Sequence, residues 1–150
     1  MIHKEKLPSE LIQYLENHKD IDFNRFEIPP PVFTAMKAEV LSFDLERRVF
    51  CCKFPVLTDY FNPYGVIQGG IISAAIDNTI GPLSMLVAPP SLTRKLEVKF
   101  YEAIEASNEF FQVMAKFVEQ KKRFLYFEAE VENLEKNIKF ASAKATHWIV

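Results

Sequence analysis

The chain lacks an excess of charge of either sign and lacks any long apolar run. Among its 150 residues there are 18 Lys+Arg and 20 Asp+Glu, and the formal net charge is -2. It therefore has no basic excess of the kind that drives binding to nucleic-acid phosphates. No run approaches the ~18 consecutive apolar residues of a membrane span, and Met1 to Leu15 carries charges where a signal peptide would be apolar. We therefore expect neither nucleic acid nor a membrane as a partner, and we expect a cytoplasmic location.

Cysteine and histidine are scarce as well. Cys51 and Cys52 are adjacent, so in a strand they point to opposite faces, and no other cysteine exists to pair with them. His3, His18 and His147 are scattered and lack paired acidic residues at ligand spacing, and we interpret them as surface or strand residues. The sequence therefore predicts no metal, no cofactor and no nucleophilic cysteine.

The residues that are present predict one domain built mainly of strands. Nearly half of the chain, 49%, is apolar, which suffices for a single core. We assign residues 1–36 to an N-terminal helix and a proline-containing connector, and residues 37–150 to the domain itself. Alternating residues predict a hairpin that turns near Glu46-Arg47, followed after Pro90 by four strands. We expect these four strands to form one long antiparallel meander.

A different pattern separates the hairpin from the later strands. The 19 residues from Gly69 to Val87 are apolar nearly all round, which is typical of a helix buried on every side. We therefore predict one long helix wrapped by the sheet, with a kink or a restart at Gly81-Pro82 because proline removes a helical hydrogen bond.

Asp77 is conspicuous because it is a carboxylate in the middle of this apolar helix. Burying it costs several kcal/mol unless it is hydrogen-bonded or faces a water-filled cleft. Two interpretations stay open. Asp77 and Asn78 satisfy donors inside a dimer interface, or Asp77 is a general base whose pKa is raised by desolvation.

The loop before the helix favours a functional interpretation. All four glycines lie between residues 65 and 81, and two of them, Gly69 and Gly70, open the helix. The N–H groups of a first helical turn have no partners and carry the positive end of the helix dipole, so they can polarise a carbonyl. Asn62 or Gln68 can add an amide donor. Gly70 lies about 10 Å from Asp77 along the helix, which is too far for one small carbonyl to contact both.

The motif residues together resemble a known family. They are Asn62-x-x-Gly65-x-x-Gln68-Gly69-Gly70, then Asp77-Asn78-x-x-Gly81, then Thr93-x-x-Leu96-x-Val98-x-Phe100. Over residues 37–150 the chain resembles the hotdog-fold thioesterases of the phenylacetyl-CoA thioesterase-like group. That group has Asn, a loop Gly, His-Gly-Gly, an Asp on the central helix, and a Ser or Thr at the start of the next strand.

The resemblance implies an α+β hotdog fold, a long central helix wrapped by a curved antiparallel sheet. It also implies a homodimer or homotetramer in which the helix start of one protomer meets the helix acid of the other. The implied reaction is hydrolysis of an acyl-CoA thioester. In it Asp77 would activate water or attack directly, the Gly69 N–H would hold the oxyanion, and Thr93 would orient water.

Further site residues follow from the same resemblance. Asn62 and Gln68 would position the thioester, although the group has His where this chain has Gln68. We also predict Gly70, Asn78, Arg94 and Lys95 as substrate-binding residues. The assignment of Arg94 and Lys95 comes from their positive charges, which can meet the phosphates of coenzyme A, and the alternative is that both are ordinary solvated surface residues. Strand alternation, however, groups Thr93 with Lys95 on the solvent face.

Two alternatives to hydrolysis are retained. The first is a non-catalytic acyl-CoA or fatty-acyl binding protein that keeps the cleft but lacks the histidine. The second is a hydroxyacyl thioester dehydratase on the same fold, which requires a catalytic His beside the acid, and no His lies near this motif.

Overall fold

The structure is a computed structural model that describes residues 1–18 and 21–150. The described helices are α1 (Ser9–Asn17), α2 (Pro31–Ala35) and α3 (Gly69–Val87). The described strands are β1 (Glu39–Asp44), β2 (Val49–Pro55), β3 (Ser91–Phe100), β4 (Phe110–Lys121), β5 (Phe124–Asn133) and β6 (Ile138–Ile149). Residues 19 and 20, within the predicted N-terminal segment, lie outside the described residues.

The six strands form one antiparallel sheet in the order β1-β2-β4-β5-β6-β3. The predicted hairpin is confirmed as β1 and β2. The predicted four-strand meander is wrong in one respect: β4, β5 and β6 are consecutive neighbours, but β3 pairs with β6 at the far edge. The physical reason is that residues 101–109 carry the chain back from β3, across the sheet, to start β4 beside β2.

Helix α3 lies across this sheet and has the predicted bounds. It contacts β2, β3, β4 and β5, and its buried face includes Ile72, Ile76, Ile80 and Leu83. Of the kink or restart predicted at Gly81-Pro82, the restart is wrong, because the helix continues through Pro82 to Val87. Its length and mean hydropathy of 1.3 would also suit a membrane span, but its contacts with the sheet make it the core helix of this domain.

One face of α3 is only partly covered by the rest of the chain, so the expectation of a helix buried on every side is wrong. Gly70 and Asp77 are exposed, and Ser73, Ala74 and Gly81 between and beyond them are half-buried. These residues recur at helical spacing and are small or polar. We call this surface the small-residue face of α3.

The N-terminal segment packs beside the C-terminal half of α3. The Tyr14 hydroxyl of α1 donates to the Leu86 carbonyl at 3.1 Å. The Asn78 side-chain amide donates to the Met36 sulfur, just after α2, at 3.1 Å. Leu11, Leu15, Phe23 and Phe33 of the segment are buried in the same core cluster as α3.

Candidate active site

A β-bulge at Arg94 decides where Thr93 points. In the pairing of β3 with β6, Thr93 is opposite His147 and Lys95 is opposite Thr146, so one residue of β3 is left without a partner. An extra residue in one strand reverses the alternation of faces beyond it. The prediction that Thr93 shares the solvent face of Lys95 is therefore wrong. Thr93 shares the face of His147, which is directed at α3.

This reversal brings the Thr93 hydroxyl to the acid. Thr93 Oγ1 donates a hydrogen bond to Asp77 Oδ1 at 2.7 Å, across 16 residues of sequence. Among the described residues Asp77 Oδ2 has no hydrogen-bond partner, and the side chain is exposed in the single chain. Desolvation of Asp77 by its own protomer, which the sequence suggested, is therefore wrong. The carboxylate is held at one oxygen and open at the other.

A chain of hydrogen bonds supports Thr93 from the sheet side. His147 Nε2 lies 3.3 Å from Thr93 Oγ1, and His147 Nδ1 lies 3.2 Å from Ser91 Oγ. Ser91 Oγ in turn lies 2.7 Å from Ser84 Oγ of α3. Because the Thr93 proton goes to Asp77, Thr93 can only accept from His147, which assigns the proton to Nε2. Ser91 then donates to Nδ1 and Ser84 donates to Ser91, so every bond in this polar chain points toward Asp77.

The sequence interpretation of His147 as an ordinary strand or surface residue misses this arrangement. His147 is only 2% exposed, and burial lowers its pKa while the negative charge of Asp77 acts in the opposite direction with a smaller effect. The sequence feature that could have predicted this burial is the position of His147 in β6. Ala141, Ala143 and Ala145 precede it at alternate positions and are all buried, so His147 continues the face directed at α3.

The second part of the predicted site is the start of α3. The helix begins at Gly69 after Gln68, whose side chain makes no capping hydrogen bond and is exposed. Within the described ranges no protein group accepts from the amides of Gly69 and Gly70, as expected for a first turn. A Cβ on Gly69 would lie 3.3 Å from the Phe100 ring, so glycine allows the helix start to approach β3 closely.

Asn62 organises the loop that precedes this helix start. Its side-chain Oδ1 accepts from the Tyr64 amide at 2.9 Å and from the Val66 amide at 3.4 Å. Gly65 has a φ of +77°, a left-handed conformation that suits glycine. Asn62 Oδ1 is therefore committed to the turn, and only the side-chain amide nitrogen is left as a donor for a ligand.

The other predicted substrate-binding residues are dispersed. Asn78 donates to Met36, as described above. The Arg94 guanidinium lies 5.2 Å from the centre of the Trp148 ring, on the sheet face opposite His147. Lys95 forms an exposed ion pair with Glu97 at 3.1 Å. Among the predicted residues the structure joins Asp77 and Thr93 by a side-chain hydrogen bond.

The two cysteines do not offer a second candidate site. The pKa of the Cys52 thiol is raised to about 12, mainly by burial, and burial also raises the pKa of Cys51. Thiols with raised pKa values are poor nucleophiles at neutral pH. No cluster of His, Cys, Asp and Glu suitable for a metal ion occurs among the described residues.

A cavity of about 400 Å³ adjoins Asp77. It lies between the N-terminal segment and α3, and Leu11, Leu15 and Phe33 form part of its wall on one side. Asp77, Asn78 and Gly81 line it on the other side. Its volume falls within the range of small-molecule sites, and its wall is predominantly apolar.

Comparisons with known proteins identify the fold. Neither a protein-family model nor a curated protein sequence matches the chain. Among solved structures, a phenylacetic acid degradation-related protein of Ralstonia eutropha JMP134, whose thioesterase activity is proposed, matches with 21% identity and a TM-score of 0.74. This match covers 83% of the present chain and 95% of the other.

Two further structures agree. The PaaI protein of the Escherichia coli phenylacetic acid degradation operon matches with 13% identity and a TM-score of 0.73, over 81% of this chain and 86% of the other. A Streptococcus mutans UA159 protein bound to acetyl-CoA matches with 18% identity and a TM-score of 0.68, over 75% and 88%. The predicted hotdog fold is therefore confirmed, with α3 as its central helix.

Proposed function

We propose that this protein hydrolyses an acyl-CoA thioester to the free acid and coenzyme A. The observation that carries the proposal is the Asp77 carboxylate, fixed at one oxygen by Thr93 and open at the other, on the central helix of a hotdog fold. Neighbours of the same fold include a protein of proposed thioesterase activity and one that binds acetyl-CoA, which supports this substrate class.

The chemistry assigned to Asp77 is that of a base. Its free Oδ2 accepts a proton from water while the water oxygen attacks the thioester carbonyl carbon. The carbonyl oxygen becomes an oxyanion, which the Gly69 N–H stabilises with the help of the helix dipole. Collapse of this intermediate breaks the carbon–sulfur bond, and the proton held by Asp77 is available to the departing thiolate. Direct attack by the carboxylate followed by hydrolysis of the anhydride is the other route open to the same geometry.

The polar chain behind Thr93 has a positioning role in this proposal. His147 donates to Thr93, so the Thr93 proton is directed at Asp77 Oδ1 and the carboxylate is held with Oδ2 facing the open side. A general base must keep its lone pair within hydrogen-bond reach of the attacked water, and fixing the carboxylate plane does this.

The same proposal requires two copies of the chain. Gly69 lies eight residues before Asp77, about 12 Å along the helix axis, so one protomer does not bring the oxyanion donor to its own base. The small-residue face of α3 is only partly covered by its own chain. β3 pairs with β6 on one side but is an edge strand with no partner on the other side, and its Leu92 and Phe100 are 66% and 49% exposed. An edge of this length and character favours pairing with another chain. A homodimer, alone or within a homotetramer, would join the Gly69 of one copy to the Asp77 of its partner.

A mixed-dimer assay tests the reaction and the shared site together. Asp77→Asn and Gly69→Pro chains are co-expressed with different tags, and dimers carrying both tags are assayed on an acyl-CoA series. Each parent homodimer is inactive, but the mixed dimer retains one site with both residues intact, so we expect about half of the wild-type activity per dimer. An inactive mixed dimer beside an active wild type would contradict the shared site.

Binding without turnover is the second candidate function, and Gln68 is the observation that favours it. An amide donates a hydrogen bond but does not exchange a proton near neutral pH, unlike the histidine of the resembled group. Titration calorimetry with a non-hydrolysable acyl-CoA thioether, beside a thiol-release assay on the corresponding thioester, separates the two candidates. Tight binding with no release on any thioester would replace hydrolysis by binding.

A further inference from the structure

The cavity beside Asp77 has a built wall that comes largely from the N-terminal segment. Leu11 and Leu15 of α1, and Phe23 and Phe33 after it, are each at most 6% exposed and line this space or support it. The segment is fixed to α3 by the hydrogen bonds from Tyr14 and to Met36 described above. We call this space the N-terminal chamber.

The chamber is continuous with the proposed catalytic acid. Asp77 lines it, and Gly81 and Met85 line it at one and two helical turns farther along α3. At 1.5 Å per residue these positions lie about 6 and 12 Å from Asp77 along the axis. A group bound at Asp77 can therefore extend beside Gly81 toward Met85.

Gly81 keeps this path open. A Cβ at this position would meet no heavy atom within 4 Å, and its φ is not in the left-handed region, so an L residue fits the backbone. Glycine in a helix interior is less favourable than alanine. The consequence of glycine at this position is free volume in the chamber.

The residues that line the chamber determine which kind of ligand it can bind. Among the described lining residues the charged ones are Asp77 and Glu27, both acidic, and most of the others are apolar. An apolar chain gains from leaving water here, at about fourfold in affinity for each buried methylene. A distal carboxylate would lose its hydration and would meet the negative charge of Glu27.

We propose that the N-terminal chamber binds the acyl chain of the substrate, and that its length makes the protein selective for medium-chain, uncharged fatty acyl groups. This inference rests on the proposed function, since it assigns the acyl part of the same thioester. The N-terminal segment sets the maximum chain length, and Gly81 admits the chain past the first turn beyond Asp77.

Variants that change the chamber in opposite directions test the inference. Gly81→Leu fills the chamber near Asp77. Gly81→Ala fills it only slightly and raises the helix propensity at this position. Met85→Ala enlarges the end of the chamber that lies farther from Asp77. Gln13→Leu adds the same side chain to the exposed face of α1, outside the chamber, and is the matched control. The measured quantity is kcat/KM over saturated acyl-CoA substrates from butanoyl to hexadecanoyl, with suberoyl-CoA as the carboxylate-ended analogue of octanoyl-CoA.

The expected results are differences between chain lengths rather than general losses. Gly81→Leu lowers the dodecanoyl-to-butanoyl ratio of kcat/KM by about fifteenfold, which corresponds to two methylenes excluded. Met85→Ala raises the hexadecanoyl-to-dodecanoyl ratio, Gly81→Ala gives an intermediate decrease with a Tm no lower than wild type, and Gln13→Leu keeps the wild-type profile. Suberoyl-CoA is hydrolysed much less efficiently than octanoyl-CoA. A chain-length profile that is the same in wild type, Gly81→Leu and Gly81→Ala would overturn the inference while leaving hydrolysis in place.

A binding measurement keeps this inference separable from the reaction. The probe is dodecyl-CoA thioether, titrated calorimetrically into folded wild-type, Gly81→Leu and Gln13→Leu proteins. If no thioester is hydrolysed, the proposed function fails, and the chamber is judged by binding alone. Weaker binding to Gly81→Leu by about tenfold or more, with Gln13→Leu unchanged, supports it, and equal binding to all three proteins overturns it.

Discussion

Asp77 and Gly69 belong to the same helix, but their surroundings differ. Asp77 is supported by its own chain, because Thr93 contacts it and His147, Ser91 and Ser84 continue the hydrogen bonds into the core. Gly69 presents an amide that has no acceptor within the described chain. The half of the proposed site around Asp77 is thus complete within a protomer, while the half at Gly69 consists of N–H donors that a ligand could bind.

This difference assigns the site residues to two groups. Under the proposed function, Asp77, Thr93 and His147 would act together in one protomer, whereas Gln68 and Gly69 would act on a carbonyl held at the Asp77 of the partner. Two damaged chains complement each other in a mixed dimer only when their changes fall in different groups. Combining changes of the same group should restore nothing.

The largest effect is expected at the acid. Asp77→Asn keeps the shape and one hydrogen-bonding oxygen for Thr93 but removes the base, so kcat should fall by ~100-fold or more. Thioether binding and the Tm should stay near wild type, since the side chain is exposed and packs into no core. Wild-type turnover by purified Asp77→Asn protein would remove Asp77 from the mechanism.

The next effect concerns the oxyanion donor at the helix start. Gly69→Pro removes one N–H at the first helical position, which proline tolerates, and Gln68 before it already has an extended ψ of 132°. Losing one oxyanion donor typically costs ~100- to 1000-fold in kcat. Gly69→Ala is the control, because it meets the same Phe100 ring at 3.3 Å but keeps the N–H. Equal activities of the Pro and Ala variants would exclude the amide as the donor.

Substitutions of Thr93 test the residues that hold Asp77 in place. Thr93→Val keeps the β-branched shape and removes the hydrogen bond to a carboxylate, a bond worth about 1.5 to 3 kcal/mol. We expect kcat to fall ~10- to 100-fold with KM little changed, and Thr93→Ser to restore most of the loss. Steady-state kinetics of the three proteins checks this, and a Val variant that changes only KM would assign Thr93 to substrate binding instead.

Substitutions of Gln68 test the residues proposed to donate hydrogen bonds to the thioester carbonyl. Gln68→Ala should lose about 1 to 3 kcal/mol of affinity or rate, because a polar partner is left unsatisfied. Gln68→His should preserve or raise activity and should add a limb near pH 6.5 to the profile of kcat/KM, since an imidazole titrates there and an amide does not. Restoration of hydrolysis by Gln68→His in a protein otherwise inert on every thioester would make the natural chain a binding protein.

Local patterns and long-range pairing explain what the sequence could and could not predict. The bounds of α3 were predictable because an apolar run is flanked by Gly69-Gly70 and by Pro89-Pro90. The direction of Thr93 was not, because the bulge at Arg94 exists only through pairing with β6. The exposure of Asp77 was missed because the small-residue face is interleaved with apolar residues, which hides it from a composition count.

The pairing of β3 with β6 also explains why the sequence predicted Asp77 and Thr93 as site residues but not His147. Asp77 and Thr93 belong to one recognisable motif, so the resemblance placed both residues in the site, although it did not predict the hydrogen bond between them. His147 lies 54 residues beyond Thr93, and no local pattern joins them. Only the sheet order, which leaves β3 beside β6, brings the imidazole to the hydroxyl.

The smallest effect is expected at His147, the residue farthest from the substrate. His147→Gln keeps a donor for Thr93, so near pH 8 we expect a loss of about 0.5 to 1.5 kcal/mol at most, or roughly two- to tenfold in kcat. The pH dependence of stability is the sharper readout. Because burial lowers the pKa of His147 below its ordinary 6.5, the unfolded chain takes up a proton as the pH falls through 6.5 while the folded chain resists it.

The difference between the folded and unfolded pKa of His147 sets the direction of this pH dependence. Above the ordinary pKa, His147 is neutral in both states and contributes no pH dependence; below it, the free energy of unfolding falls with pH until the lowered pKa is passed. Urea unfolding at about pH 8 and about pH 5.5 should therefore show a smaller loss of stability on acidification in His147→Gln than in wild type. The other histidines and the carboxylates are common to both proteins and cancel in the comparison. The same loss in both proteins would mean that the imidazole is not held neutral. His147 Nδ1 would then carry a proton and could not accept from Ser91, so the series of hydrogen bonds directed at Asp77 would be broken.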